Sequence, residues 1–240
     1  MDIERTHLAV ESLVELSGRF LLATKMEENV GEIIAFLATV EDARLTSELQ
    51  GDAERKAFWI NLYNAFNLYF MRQFPNSAPD RKTRLGHFIK KQITVAGKAL
   101  SLVDIENGIL RRSKTLWGLG YVGKFFVGGF EKRHRVDRLD PRIHFALNCG
   151  AESCPPIRFY TPETIEAELD LATRAYLSTE VKENAGMVSV SALFNMYRGD
   201  FGGKAGAWNF IRKYRGDLPP HPAKLSFAKW DWTQNLDAFA

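Results

Sequence analysis

After Lys56 the chain reads Ala57-Phe58-Trp59-Ile60-Asn61-Leu62-Tyr63-Asn64-Ala65-Phe66-Asn67-Leu68-Tyr69-Phe70-Met71, the strongest helical stretch in the sequence. A helix that is apolar nearly all round has no face to give to water, so it must be wrapped on every side. The spacing predicts a buried central helix over residues 53–73, with the rest of the fold packed around it. Three asparagines interrupt the apolar surface, at positions 61, 64 and 67. Asn is a mediocre helix former, and a buried amide must find hydrogen-bond partners. Asn61 and Asn64 are three apart and share a face. They either clamp the backbone of a neighbouring loop or offer an amide to an active site, as an orienter or an oxyanion donor.

With 240 residues, 45% of them hydrophobic, the chain can build a sizeable core without a disulfide or metal staple. Leu8, Val10, Leu13, Leu16 and Phe20 recur at roughly helical spacing, as do Ile33, Phe36, Leu37 and Val40. Residues 1–50 therefore form a helical extension on a main unit of residues 51–240, the two packed as one globular body. Pro75 to Pro79 stops the central helix. Residues 92–102 predict a β-hairpin turning at Ala96-Gly97-Lys98, after which Ser101 or Asp104 caps a helix through Arg111. Residues 113–139 are irregular and rich in Gly, aromatic and basic residues. Ile143 to Leu147 predict an internal strand, and Gly150 to Pro156 a tight loop. A helix starts at Thr161-Pro162-Glu163, a strand covers 187–190, and short helices occupy 191–197 and 205–214. A last strand is expected around Phe227 to Trp232. The fold class is α+β: a helical N-terminal part, a buried central helix and a small, mostly antiparallel sheet.

The net charge of +3 is too small to argue for a specific nucleic-acid partner. Two basic clusters stand out: Arg81, Lys82, Arg84, Lys90 and Lys91, then Lys132, Arg133, His134, Arg135 and Arg138. They read either as solvated loops or as a surface for an anion. Met1 to Leu16 lacks the pattern of a secretory signal, and no stretch reaches the ~18 apolar residues of a membrane span. A cytoplasmic location is the expectation.

Both cysteines of the chain fall in one segment, Asp140-Pro141-Arg142-Ile143-His144-Phe145-Ala146-Leu147-Asn148-Cys149-Gly150-Ala151-Glu152-Ser153-Cys154-Pro155-Pro156. Thiol and imidazole are the side chains best suited to nucleophilic chemistry near neutral pH. On a strand, His144 and Cys149 would face opposite sides. Cys149 would then belong to the core, and Cys154, turned back by its loop, would be the better partner for His144. A thiolate–imidazolium pair also needs a third group to orient the ring; Glu106 or an Asn of the central helix is available. Zinc is disfavoured, because His144, Cys149 and Cys154 lack both C-x-x-C spacing and a fourth ligand. No metal and no cofactor is expected.

Four motifs carry a resemblance. They are Ala57 to Ala65; Leu102-Val103-Asp104-Ile105-Glu106-Asn107-Gly108-Ile109-Leu110-Arg111; Asp140 to Gly150 with Ser153-Cys154-Pro155-Pro156; and Phe194-Asn195-Met196-Tyr197-Arg198-Gly199-Asp200-Phe201. Over roughly residues 50–235 the chain resembles the family called domain of unknown function 547. The resemblance implies remote kinship with papain- and transglutaminase-like cysteine hydrolases, with the catalytic order permuted to Glu, His, Cys. Carried onto this sequence, that makes Glu106 the orienter, His144 the base and Cys154 the nucleophile. Asn107 departs from the family pattern, where His often comes after the Glu. The expected activity is a thiol-dependent hydrolase or acyl-transferase acting on an amide or thioester of a small molecule or peptide. Asn61, Asn64 or a backbone N–H of the Gly150 to Cys154 loop would bind the oxyanion. The alternative is a non-catalytic binding or scaffolding module in which the same polar groups form a satisfied core network. The sequence gives no oligomeric state.

Overall fold

A computed structural model describes residues 8, 10–73, 81–184, 186–221 and 224–239 of the chain. The expected helix stop at Pro75 to Pro79 lies outside those residues. The N-terminal part contains α1 (Leu13–Lys25), α2 (Gly31–Thr39) and α3 (Asp42–Glu48). Helix α1 starts at a capping box, in which Ser12 accepts from the Glu15 N–H and the Glu15 carboxylate accepts from the Ser12 N–H. The central helix, α4, runs Asp52–Gln73 and is buried from Lys56 to Leu68 without a break. Phe20 of α1 meets Phe66 of α4 edge to face at 4.9 Å, so the N-terminal helices and α4 share one core.

Helix α5 (Arg81–Ile89) leads to the expected hairpin, β1 (Ile93–Val95) and β2 (Lys98–Leu100), paired antiparallel. Ser101 caps the next segment by accepting from the Asp104 N–H, while Asp104 accepts back from Ser101. Beyond that cap the chain forms a π-helix, Asp104–Leu110, with the Arg111 N–H donating to the Glu106 carbonyl. Such widened turns re-aim side chains and recur at functional sites. The irregular segment after the π-helix holds one short helix, α6 (Gly129–His134). Its basic cluster is only partly solvated: buried His134 and exposed Arg133 both engage Asp42.

Residues 143–147 are not a strand. Pro141–Phe145 form a 3-10 helix, because Asp140 accepts from the Arg142 N–H and Pro141 occupies the first helical position. That start signal outweighed the short apolar run. Next come α7 (Ile165–Glu180), β3 (Lys182–Asn184), β4 (Met187–Val190), α8 (Leu193–Met196), α9 (Gly203–Tyr214) and β5 (Lys224–Phe227). Strands β3 and β4 pair antiparallel, and β4 and β5 pair parallel. The last strand ends at Phe227 instead of continuing to Trp232. Beyond it the backbone bonds to the loop after His144 instead: the Glu152 N–H donates to the Thr233 carbonyl and the Asp231 N–H to Ser153 Oγ. A second core joins Phe145, Tyr176, Phe194, Phe201 and Ile211. The architecture is α+β. Among the described residues no helix is long and apolar enough to cross a membrane.

The asparagines of α4 hold distant stretches of backbone in place. Asn61 Nδ2 donates to the Tyr160 carbonyl and Asn61 Oδ1 accepts from the Tyr160 N–H. Asn64 does the same between the Ala146 carbonyl and the Asn148 N–H. Asn67 Nδ2 donates to the Asn148 carbonyl. These bonds replace a β-ladder for a buried stretch of chain that has none. Asn64→Ala would leave a buried N–H and a buried carbonyl unpaired, an expected loss of about 2–4 kcal/mol. Urea unfolding measures this, and a loss under ~0.5 kcal/mol would show that the clamp contributes nothing.

Candidate functional site

The clamp at Ala146 and Asn148 fixes the chain between His144 and Cys149. Asn148 then organises the loop: its Oδ1 accepts from the Gly150 N–H and its Nδ2 donates to the Pro155 carbonyl. Gly150 has φ +81°, and a Cβ there would stand 3.1 Å from Met71 Cε, so the turn requires glycine. The turn brings Cys154 back to Cys149, and the two form a disulfide. The core assignment of Cys149 does not hold. It is half-buried, whereas Cys154 is only 7% exposed. With no strand at 143–147, alternating faces cannot separate the sulfurs.

One cleft of about 430 Å³ is lined by Glu106, His144, Cys149 and Cys154 together with Tyr63, Asn107, Arg111 and Tyr197. The π-helix supplies Glu106 and Asn107, the 3-10 helix supplies His144, and the segment after α8 supplies Tyr197. Asn61 and Asn64 lie outside this lining, with their amides engaged by backbone. In the loop, the N–H groups of Gly150, Glu152, Ser153 and Cys154 all donate to protein oxygens.

His144 is 3% exposed, and its Nε2 lies 2.9 Å from Asp200 Oδ2. Arg111 Nε donates to the same oxygen at 2.6 Å, and Arg111 Nη1 to Asn107 Oδ1 at 2.7 Å. The Asp200 side chain is fully buried. Glu106 sits elsewhere in the network, accepting from the Tyr197 hydroxyl at 2.8 Å. The Tyr197 ring stacks on the His144 ring with centroids 3.9 Å apart, and the Arg111 guanidinium lies 4.6 Å from the Tyr197 ring centroid. Thus Asp200, not Glu106, is the carboxylate hydrogen-bonded to His144. The fourth motif contained Asp200, yet nothing in its spacing linked it to a histidine 56 residues earlier.

Burial pulls the His144 pKa below its ordinary value and outweighs the opposing bond to Asp200. Burial would raise the Asp200 pKa, but the bonds from His144 and Arg111 overcome it and hold the carboxyl below its usual range. Burial also opposes the Arg111 charge, and the Asp200 bond with the nearby Glu106 charge more than restores it. Ionised Asp200 can only accept, so Nε2 of neutral His144 carries the hydrogen. Nδ1 is then a lone-pair acceptor, and it has no hydrogen-bond partner among the described residues. Asn107 Nδ2 is likewise buried in the lining without a partner.

His87 and His134 are depressed by burial in the same way. All three are held neutral in the fold, while the unfolded chain takes up protons below about pH 6.5. Stability is therefore expected to fall as pH drops below that value and to be insensitive to these groups above it. Asp140 and Asp200, both lowered, add a further loss nearer pH 4 and below. Thermal unfolding at constant ionic strength should give a lower Tm at pH 5 than at pH 7.5. An equal or higher Tm at pH 5 would contradict the neutral-histidine assignment.

Residues 46–177 match the model of a family described as protein of unknown function, DUF547. The chain belongs to that family. No curated protein and no solved structure matches it. In this DUF547 protein the matched residues include Glu106, His144 and both cysteines, whereas Tyr197 and Asp200 lie C-terminal to them.

Proposed function

We propose that this DUF547 protein is a cysteine-dependent hydrolase or acyl-transferase acting on an amide or thioester. Cys154 is the nucleophile, His144 the base, and Asp200 the group that holds the imidazole. The observation that carries the reading is one cleft lined by both sulfurs and by a histidine held through Nε2, its Nδ1 without a hydrogen-bond partner among the described residues. The remote kinship with papain- and transglutaminase-like hydrolases that the family resemblance implies would give His144 and Cys154 the same roles.

A dithiol reductant must first supply two electrons and two protons, opening the Cys149–Cys154 bond to two thiols while it becomes a disulfide. His144 Nδ1 then takes the Cys154 proton. The thiolate adds to the substrate carbonyl, and the leaving amine or thiolate departs with the proton from the imidazolium. Water, or an acceptor nucleophile in a transferase, cleaves the resulting thioester and regenerates the thiol. The Cys149 N–H lies 3.0 Å from Cys154 Sγ and favours the thiolate. Asn107 Nδ2 and Trp230 Nε1 are cleft-lining side-chain donors, buried without a partner among the described residues, and Asn107 Nδ2 is the one assigned to the oxyanion.

Alkylation of the freshly reduced protein by iodoacetamide across pH tests this, with the Cys154 peptide tracked by mass spectrometry. Cys154 should react readily well below the ordinary thiol pKa of about 8.5, and His144→Ala should remove that reactivity. An ordinary profile unchanged by His144→Ala would sink the nucleophile. It would favour a binding module whose disulfide is structural, a reading supported by the absence of a free thiol in the oxidised chain.

A further inference from the structure

The walls of the cleft differ from its catalytic groups. Leu85, Phe88, Trp117, Leu119, Leu193 and Trp232 line it, and aliphatic and aromatic side chains outnumber polar ones around it. Trp117 is 63% exposed and Trp232 42%, and Leu116 and Leu119 of the same wall are also exposed. Large apolar side chains left open to water in one concave place mark a binding surface more often than isolated ones do. The wall is also held in place. The Gly199 N–H donates to the Leu119 carbonyl at 2.7 Å, and Gly120, at φ +83°, is so close to Asp200 that a Cβ would stand 2.5 Å from Oδ1. The apolar wall and the carboxylate that orients His144 are thus locked together.

The charges in the lining point the same way. Among the described residues only Glu106 and Arg111 line the cleft with a full charge. Glu106 accepts from Tyr197, and Arg111 donates to Asp200 and Asn107. Neither is left to hold an ionic head group, a phosphate or a charged peptide side chain. A volume of about 430 Å³ suits a small molecule more than a folded partner.

We infer that the cleft takes an uncharged aliphatic acyl group, delivered as a neutral thioester, with its chain along the Trp117–Leu119–Trp232 wall and its carbonyl at the sulfur. This rests on the acyl-transfer reading above for the chemistry, though not for the binding. In the reduced protein the Cys154 Sγ–acyl bond forms as the substrate C–S bond breaks. The leaving thiolate takes the proton held by His144, and water releases the carboxylic acid.

Two measurements separate the two readings. The first is binding of S-acetyl- and S-octanoyl-N-acetylcysteamine to the oxidised native protein, which has no free thiol, monitored by tryptophan fluorescence. The octanoyl probe, longer by six methylenes, should bind at least about 60-fold more tightly, on the basis of about two- to fourfold per methylene. The second is the turnover of the same series by the reduced protein, where kcat/KM should climb about two- to fourfold per methylene. Trp117→Ala should lower the octanoyl-to-acetyl ratio in both experiments, while Phe125→Ala, exposed and outside the lining, should leave it unchanged. Chain-length-dependent binding without turnover would support the acyl site and overturn the catalytic reading. Turnover with equal binding and equal rates for the two probes would overturn the acyl site and leave the catalytic reading standing. Loss of the ratio in Phe125→Ala, or no change of it in Trp117→Ala, would also overturn the acyl site.

Discussion

Asp200→Asn is expected to lower thiol-dependent turnover by about 10²-fold or more, and Glu106→Gln by less than about tenfold. Asp200 Oδ2 accepts from both His144 and Arg111, and the amide oxygen of Asn fits the same position. The imidazole therefore keeps its tautomer and place. What disappears is the negative charge between His144 and Arg111. The imidazolium formed when His144 takes the Cys154 proton then faces the Arg111 guanidinium without a negative charge between them. Glu106→Gln leaves an acceptor for the Tyr197 hydroxyl and no change at His144 Nε2. The pH profile of kcat/KM supplies a second readout, because Asp200→Asn should move the limb that reports His144 to lower pH. If Glu106→Gln were instead the crippling change and Asp200→Asn mild, Glu106 would be the orienter, as the family resemblance implies.

Asp200→Ala addresses stability, with an expected cost of about 3–5 kcal/mol. It leaves the Arg111 guanidinium, 2% exposed, without its ion-pair partner. Removing both charges should cost less than removing one, since an isolated buried charge is worse than none. Asp200→Ala combined with Arg111→Leu is therefore expected to recover part of the loss, a positive coupling measurable by urea unfolding of the two single variants and the double. If the double variant lost the sum of the single effects, the pair would not be coupled. The wild-type site already holds Asp200 Oδ1 buried with no partner among the described residues. A carboxylate held this way by two donors on one oxygen is a poor stabiliser and a close-tolerance positioner of the histidine.

Much of the fold was legible in local pattern. The all-round apolar run over residues 53–73 required a buried helix, and α4 occupies Asp52–Gln73. The hairpin turn at Ala96-Gly97 and the Ser101–Asp104 cap were also readable, because turns and caps are local devices of three or four residues. The strand at 143–147 failed because five apolar-rich residues fit a short strand or a short helix equally well. The Asp140-Pro141 start signal decided between them.

The sequence by itself determined which chemistry is present: two cysteines, a nearby histidine and a central helix bearing three amides, in the motifs of a known family. It also determined that a helix with no polar face must be enclosed. Only the tertiary structure decided the partners. His144 meets Asp200 across 56 residues, Asn61 meets Tyr160 across 99, and Glu106 meets Tyr197 across 91. The physical reason is that propensity, caps and periodicity act over a few residues, whereas a buried polar side chain takes whichever partner the packing brings within about 3 Å.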